Sequence, residues 1–253
     1  MIYITGDTHA EYSRFNTKNF PEQQTMTRDD YVIVCGDFGG VWYDNATERY
    51  WLNWLAEKNF TLLYVDGNHE NFDRLNSVEF ETVDFHGGKA HKIRDNIFHL
   101  MRGHVFNLHG KKFFAFGGAS SHDIQDGILD PANYASMHDC VQNYRVRTKC
   151  GQMLRINHLS WWKEELPNEE EMERGKSALL ACGNKVDYVI SHSLPQNVCG
   201  YMGYFQGDAI TEYFDHLVEY GLRFKEWHCG HFHREQKLLN KYQIHYQNIT
   251  KLM

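Results

Sequence analysis

Three features of this 253-residue sequence point to an α/β fold built on a mostly parallel central sheet. Short apolar runs recur without polar alternation, which marks strands covered on both faces. Amphipathic stretches lie before the third and last of them, the latter with a capping residue, as strand–helix–strand units require. Each run is followed closely by a carboxylate, amide or imidazole, usually beside glycine, and ligands bind at the carboxyl ends of such strands.

The runs are Ile2–Ile4, Tyr31–Cys35, Leu62–Val65, Tyr188–Ile190 and Glu226–Cys229, of which the first four are mostly β-branched or aromatic without alternation. Ala46–Lys58 is spaced as a helix, with Tyr50, Trp51, Trp54 and Leu55 on one stripe. The stretch Lys92–Ala119 is different. Ile93, Ile97–Leu100, Val105–Leu108 and Phe113–Phe116 are separated only by tight-turn signals. It predicts a helix-free meander, either a second sheet or an antiparallel extension of the first. From Ser120 to about Gly183 no strand pattern shows, and Asn168 before Glu169-Glu170-Glu171 caps a helix with an acidic first turn. Asp208 caps a further helix whose Ile210, Phe214, Leu217 and Val218 share a face, and Gly221 stops it. Lys237–Leu239 and Gln243–Tyr246 read as a hairpin around Asn240-Lys241-Tyr242. The expectation is one domain over 1–253, with an inserted, mostly helical lobe at about 120–183.

Composition narrows the function. Hydrophobic residues make up 42% and charged residues 23%, which excludes disordered and fibrous classes. A net charge of -7 argues against a surface for duplex nucleic acid. A small phosphorylated substrate stays open, because a bound cation overrides the global sign locally. Apolar runs reach only about six residues, too short to span a membrane. Met1 leads directly into the first run, which leaves no room for a signal peptide. The six cysteines form no CxxC pair and read as reduced thiols. A cytoplasmic location is expected.

The strand ends carry the chemistry. Asp7 and His9 follow the first run in Gly6-Asp7-Thr8-His9, and Asp37 follows the second in Gly36-Asp37-Phe38-Gly39. Asn68 and His69 follow the third in Gly67-Asn68-His69-Glu70. His192 follows the fourth, and the fifth opens into Gly230-His231-Phe232-His233. Any one of these alone reads as a turn cap or solvated loop, and His69 alone as a satisfied core histidine. Five in this order read as a metal site. The seven candidate ligands Asp7, His9, Asp37, Asn68, His192, His231 and His233 exceed what one first-row ion takes from protein. They suit two divalent ions roughly 3.5–4 Å apart with Asp37 as the bridge. A nitrogen and oxygen donor set without thiolate selects Mn, Fe, Zn, Ni or Co, with Mn first. Two dications against two carboxylates leave the site positive, so it attracts phosphate and acidifies a bridging water into a hydroxide nucleophile. His69, beside Asn68, is placed to protonate a leaving oxygen or steady the transition state.

Together these motifs, with Ser191-His192, resemble the calcineurin-like metallophosphoesterase superfamily, over nearly the whole chain. The resemblance implies a four-layer α/β sandwich of two facing mixed sheets flanked by helices. It implies that Asp7, His9, Asp37 and His233 hold one metal, that Asp37, Asn68, His192 and His231 hold the other, and that His69 is the catalytic histidine. Eukaryotic-type Ser/Thr protein phosphatases carry an arginine soon after the second-motif aspartate, where this chain has Phe38-Gly39-Gly40-Val41, and lack the closing Gly-His-x-His. The chain looks more like the small bacterial or phage phosphoesterases. The expected function is hydrolysis of phosphate mono- or diesters on a small or nucleotide-like substrate. A metal-dependent protein phosphatase and a metal-loaded, non-catalytic scaffold are the alternatives.

Two further stretches bear on substrate choice. Gly117–Asp123 reads either as a loop approaching a ligand or as a turn into the lobe. Arg145, Arg147, Lys149 and Arg155, with Trp161 and Trp162, suit a phosphate clamp and a stacking platform. The preferred reading makes them a solvated face and the lobe's own core.

Overall fold

The computed structural model describes residues 1–253. Strands β1 (Ile2–Thr5), β2 (Tyr31–Val34) and β3 (Thr61–Tyr64) are parallel neighbours and buried on both faces, as their β-branched and aromatic residues require. Helix α1 (Ala46–Ala56) starts where the Asn45 side chain accepts the Glu48 N–H, and it buries Leu52 and Leu55. Tyr50 departs from the expected stripe and is 61% exposed. The buried seam of this helix is the narrow Leu52/Leu55 pair, with Trp51 and Trp54 packed along its flanks.

After the short α2 (Phe72–Leu75), the chain forms β4 (Glu81–Phe85), β5 (Gly88–Arg94) and β6 (Ile97–Leu100). These extend the first sheet, antiparallel among themselves, with β6 parallel to β3. The next hairpin, β7 (His104–Leu108) and β8 (Lys111–Phe116), belongs to the second sheet. The meander therefore takes both of its expected forms, dividing at Arg102-Gly103. Gly103 holds a φ of +80°, and a side chain there would meet the backbones of Glu171 and Gly175.

Between Ser120 and Gly183 two minimal strands, β9 (Ile128–Leu129) and β10 (Arg155–Ile156), pair in parallel, where no strand was expected. Two residues are too few to leave a pattern. With α3 (Met137–Lys149) they enclose a small core of Leu129, Cys140, Leu154 and Ile156. Helix α4 (Glu169–Ala181) begins with the anticipated Asn168/Glu171 capping box and packs on the second sheet through Met172 and Leu179. Trp162 lies outside the small core. It joins the core beneath α1, edge-on to Trp42.

The second sheet continues with β11 (Tyr188–Ser191), the short α5 (Gln196–Cys199) and α6 (Ala209–Glu219), then β12 (Glu226–Cys229). The hairpin β13 (Gln236–Leu238) and β14 (Tyr242–Ile244) follows. A last strand, β15 (Thr250–Lys251), returns to pair with β1. The sheet orders are β15-β1-β2-β3-β6-β5-β4 and β13-β14-β12-β11-β8-β7. The central core is built from both: Ile4, Ile33 and Leu63 of the first sheet against Phe106, Phe113 and Ile190 of the second. Each such side chain contributes about 1.5–3 kcal/mol over leaving it in water. One outer core lies under α1 and another under α4 and α6, which completes a four-layer α/β sandwich. No helix is long and apolar enough to cross a membrane.

Candidate metal centre

Parallel pairing gives β1, β2 and β3 a common carboxyl edge, and β8, β11, β12 and β14 another. The two edges meet. Asp7, Asp37 and Asn68 leave the first sheet, while His192, His231 and His233 leave the second. The seam is narrow enough to demand glycine: a Cβ on Gly36 would stand 2.1 Å from His192 Nδ1, and one on Gly67 2.0 Å from Asp37 Oδ1. The backbone bends sharply here. His9, Asp37, His231 and His233 all hold positive φ, between 45° and 69°. Such left-handed positions cost about 1–3 kcal/mol each and persist where the surroundings impose them, commonly at functional sites.

The eight residues singled out in the sequence gather where the two edges meet, and Asp37, Asn68, His69, His231 and His233 line a cleft there, with Asp7 and His192 buried behind it. Asp7, His9, Asp37 and His233 bring their donor atoms within 4.8 Å of one another. His9 Nε2 is 3.1 Å from His233 Nε2 and 3.6 Å from Asp37 Oδ2. The same Asp37 oxygen, Oδ2, lies 3.3 Å from His192 Nε2, which is itself 3.7 Å from Asp7 Oδ1. The Asp37 Oδ1 atom accepts the His69 backbone N–H at 2.8 Å. Asp7 accepts the His231 backbone N–H at 2.9 Å, which ties the two sheets together. The His231 ring stands 5.0 Å from that of His192, with Nε2 2.8 Å from His122 Nε2.

Surrounding groups hold these side chains in place, and several left no trace in the sequence. Arg14 donates to the carbonyls of Gly6, Asp7 and Tyr246, locking the exit of β1 to the chain after β14. The Asn68 amide nitrogen donates to Ser121 Oγ at 3.3 Å; Ser121 in turn donates its Oγ–H and N–H to the buried Glu165 carboxylate at 2.7 and 2.9 Å. This fixes which way the amide faces, so the Gly117–Asp123 stretch does border the site. Arg155 is 8% exposed, not part of a solvated face. Asp123 grips it at two points, 2.7 and 2.9 Å, and its guanidinium nitrogens lie 3.2 and 3.4 Å from the ring nitrogens of His69. Arg145, Arg147 and Lys149 stay outside the cleft.

The donor set fits metal. His192 donates from Nδ1 to the Cys35 carbonyl at 2.7 Å, and its buried Nε2, 3.3 Å from Asp37 Oδ2, makes no well-directed hydrogen bond. Asn68 Oδ1 is likewise buried and unpartnered. Buried polar atoms without partners are rare and call for an explanation. A bound cation would supply one. Two donors about 2.1 Å from one ion, at right angles, stand about 3 Å apart, which matches the His9–His233 pair. The field agrees. Burial alone would push His192 down, but Asp37 and Asp7 raise it to about 9, so this spot draws positive charge. Burial would likewise raise Asp37, and the surrounding imidazoles hold it far below the ordinary carboxylate range. His69 is pushed down to about 4, by burial first and by the Arg155 cation after it, with Asp37 opposing.

Two facing mixed sheets, joined by a histidine–carboxylate cluster across their carboxyl edges, define a metal-binding α/β sandwich. A sequence profile of the calcineurin-like phosphoesterase family matches residues 1–235, and the chain belongs to that family. No curated protein sequence matches it. Membership carries metal-dependent phosphoester hydrolysis with it.

Proposed function

We propose that the protein is a dinuclear phosphoesterase that hydrolyses phosphate mono- or diesters of small or nucleotide-like molecules. The observation that carries this reading is the position of Asp37. Its Oδ2 is approached by both His9 Nε2, at 3.6 Å, and His192 Nε2, at 3.3 Å, and it lines the same cleft as Asn68, whose buried Oδ1 has no hydrogen-bond partner. Asp7, His9, Asp37 and His233 would hold one divalent ion, and Asp37, Asn68, His192 and His231 the second, with Mn the preferred metal. When bound, such a pair supplies an acidified water and neutralises phosphoryl charge.

The chain's own residues supply the rest. Arg155, anchored by Asp123, faces the cleft and binds a phosphoryl oxygen. His69 presents a ring N–H to the leaving oxygen. Asp37 fixes His69 by accepting its backbone N–H. The six cysteines are all free, which suits a reducing cytoplasm.

Mn-loaded protein should hydrolyse p-nitrophenyl phosphate, bis-p-nitrophenyl phosphate or both, and His69→Ala should abolish most turnover while retaining metal. Wild-type protein that takes up metal but cleaves neither ester would move the reading to a scaffold; preference for phosphopeptides would move it to a protein phosphatase.

A further inference from the structure

A second cleft, of about 460 Å³, opens beside the metal centre and shares His9 and His69 as its wall. Its character is different. The metal side is lined by Arg155 and the cluster residues. The second cleft is lined by Tyr12, Trp42, Tyr43 and Trp51, and no lysine or arginine borders it.

The rings are held from behind. Trp42 stands edge-on to Trp162 at 5.4 Å, and Trp51 edge-on to Trp54 at 5.4 Å. The 42–44 loop is pinned by one carboxylate: Glu48 Oε2 accepts the backbone N–H groups of Trp42 and Tyr43 at 2.7 and 2.6 Å, and that of Asp44 at 3.3 Å. Its Oε1 accepts from Arg74 at 2.6 Å. The only carboxylate in the cleft is thus fully engaged. What it offers a ligand is aromatic surface, with the Asn45 amide and Thr47 hydroxyl at the rim. Tyr43 is 68% exposed, far more than a ring serving only as core.

We propose that this cleft binds the nucleobase of a nucleotide whose phosphate enters the metal side past His69. The inference rests on the phosphoesterase reading above and adds the specificity determinant. The cleft falls in the size range of small-molecule sites. A planar heterocycle stacks on aromatic rings without needing charge and uses rim amides and hydroxyls at its edges. A base-free sugar phosphate leaves the aromatic surface wet.

Adenosine 5′-monophosphate and ribose 5-phosphate carry the same primary phosphoester and differ only in the base. Metal-free full-length protein titrated with each, followed by tryptophan fluorescence, should bind the nucleotide at least about tenfold more tightly. Trp42→Leu and Tyr43→Ala should each weaken nucleotide binding by roughly that factor. In Mn-loaded protein the kcat/KM ratio of nucleotide to sugar phosphate should fall by a similar factor through KM. Melting temperature checks folding, and Tyr43→Ala guards against loss of the more buried Trp42. Tyr220→Ala, a surface ring on the far end of α6, should leave the ratio unchanged. Equal affinity for the two ligands, or unchanged nucleotide affinity in both cleft variants, would overturn the assignment. Selective, cleft-dependent nucleotide binding without hydrolysis under any metal would overturn the phosphoesterase reading and leave the base-binding cleft standing.

Discussion

Arg155 and Ser121 show how single side chains act on the site from outside the motif set. Arg155 is carried by β10 and held by Asp123 against the His69 ring, so in the proposed reaction its charge would face the phosphoryl group. One preorganised donor of this kind is worth about 100-fold in kcat. Arg155→Ala should lose about that factor with metal stoichiometry intact, as read by steady-state kinetics beside elemental analysis. Ser121→Ala makes a different prediction. It removes the hydroxyl that orients the Asn68 amide and leaves the buried Glu165 carboxylate short of a donor. Metal affinity should fall about 10–100-fold in competition with a chelating dye, and excess Mn should restore turnover. The sequence leaves both as open alternatives: Ser121 lies in the Gly117–Asp123 stretch, which reads equally as a turn, and Arg155 groups with basic residues that read in preference as a solvated face. Both sit where no apolar run or periodic pattern exists, and only the tertiary fold brings them to the cleft.

At the scale of elements, strand exits and helix caps differ sharply in what they tolerate. Gly36→Ala forces a side chain into a φ of +91° and onto the His192 ring, so both stability and metal uptake should collapse. Asp208→Ala removes the cap that accepts the Ile210 and Thr211 N–H groups. It should cost about 1 kcal/mol in urea unfolding and leave turnover unchanged. The exits were also the most legible elements. β1, β2, β3 and β11 are buried on both faces, so their sequences are mostly apolar without alternation and give way to glycine and polar residues at their ends, whereas β12 carries Glu226 and His228. Which strand joins which sheet was not legible from periodicity. β6 and β7 read alike and are separated only by the turn at Gly103, yet they part to opposite sheets. Nor was β4 read as a strand, since Glu81–Phe85 lies on an edge and is mostly solvated.

Across the whole molecule, buried histidines set the response to acid. His228 and His245 share a hydrogen bond at 2.9 Å at the carboxyl side of the second sheet, and each leaves its other ring nitrogen without a hydrogen bond, His228 Nε2 standing 3.7 Å from Glu226. Burial pushes both down to about 3. The unfolded chain therefore binds protons that the folded chain refuses. The contribution of these groups is complete above the ordinary histidine value near 6.5 and is lost as pH falls from there towards 3. Each contributes a slope of at most about 1.4 kcal/mol per pH unit. Unfolding free energy measured from pH 7 to pH 4 should fall accordingly, and His228→Leu/His245→Leu should flatten the curve.

The seam between the sheets has a mechanical meaning as well. Neither sheet owns a complete set of donors, so ions held there would act as a clasp between two halves otherwise joined by packing and a few hydrogen bonds, such as those from His231 to Asp7 and from His192 to Cys35. Sliding one half past the other would open the clasp before either half lost its own ladder of hydrogen bonds. Added Mn should then raise the melting temperature with the logarithm of its concentration, and chelation should lower it. The same treatment should leave the thermal behaviour of an Asp37→Ala variant unmoved.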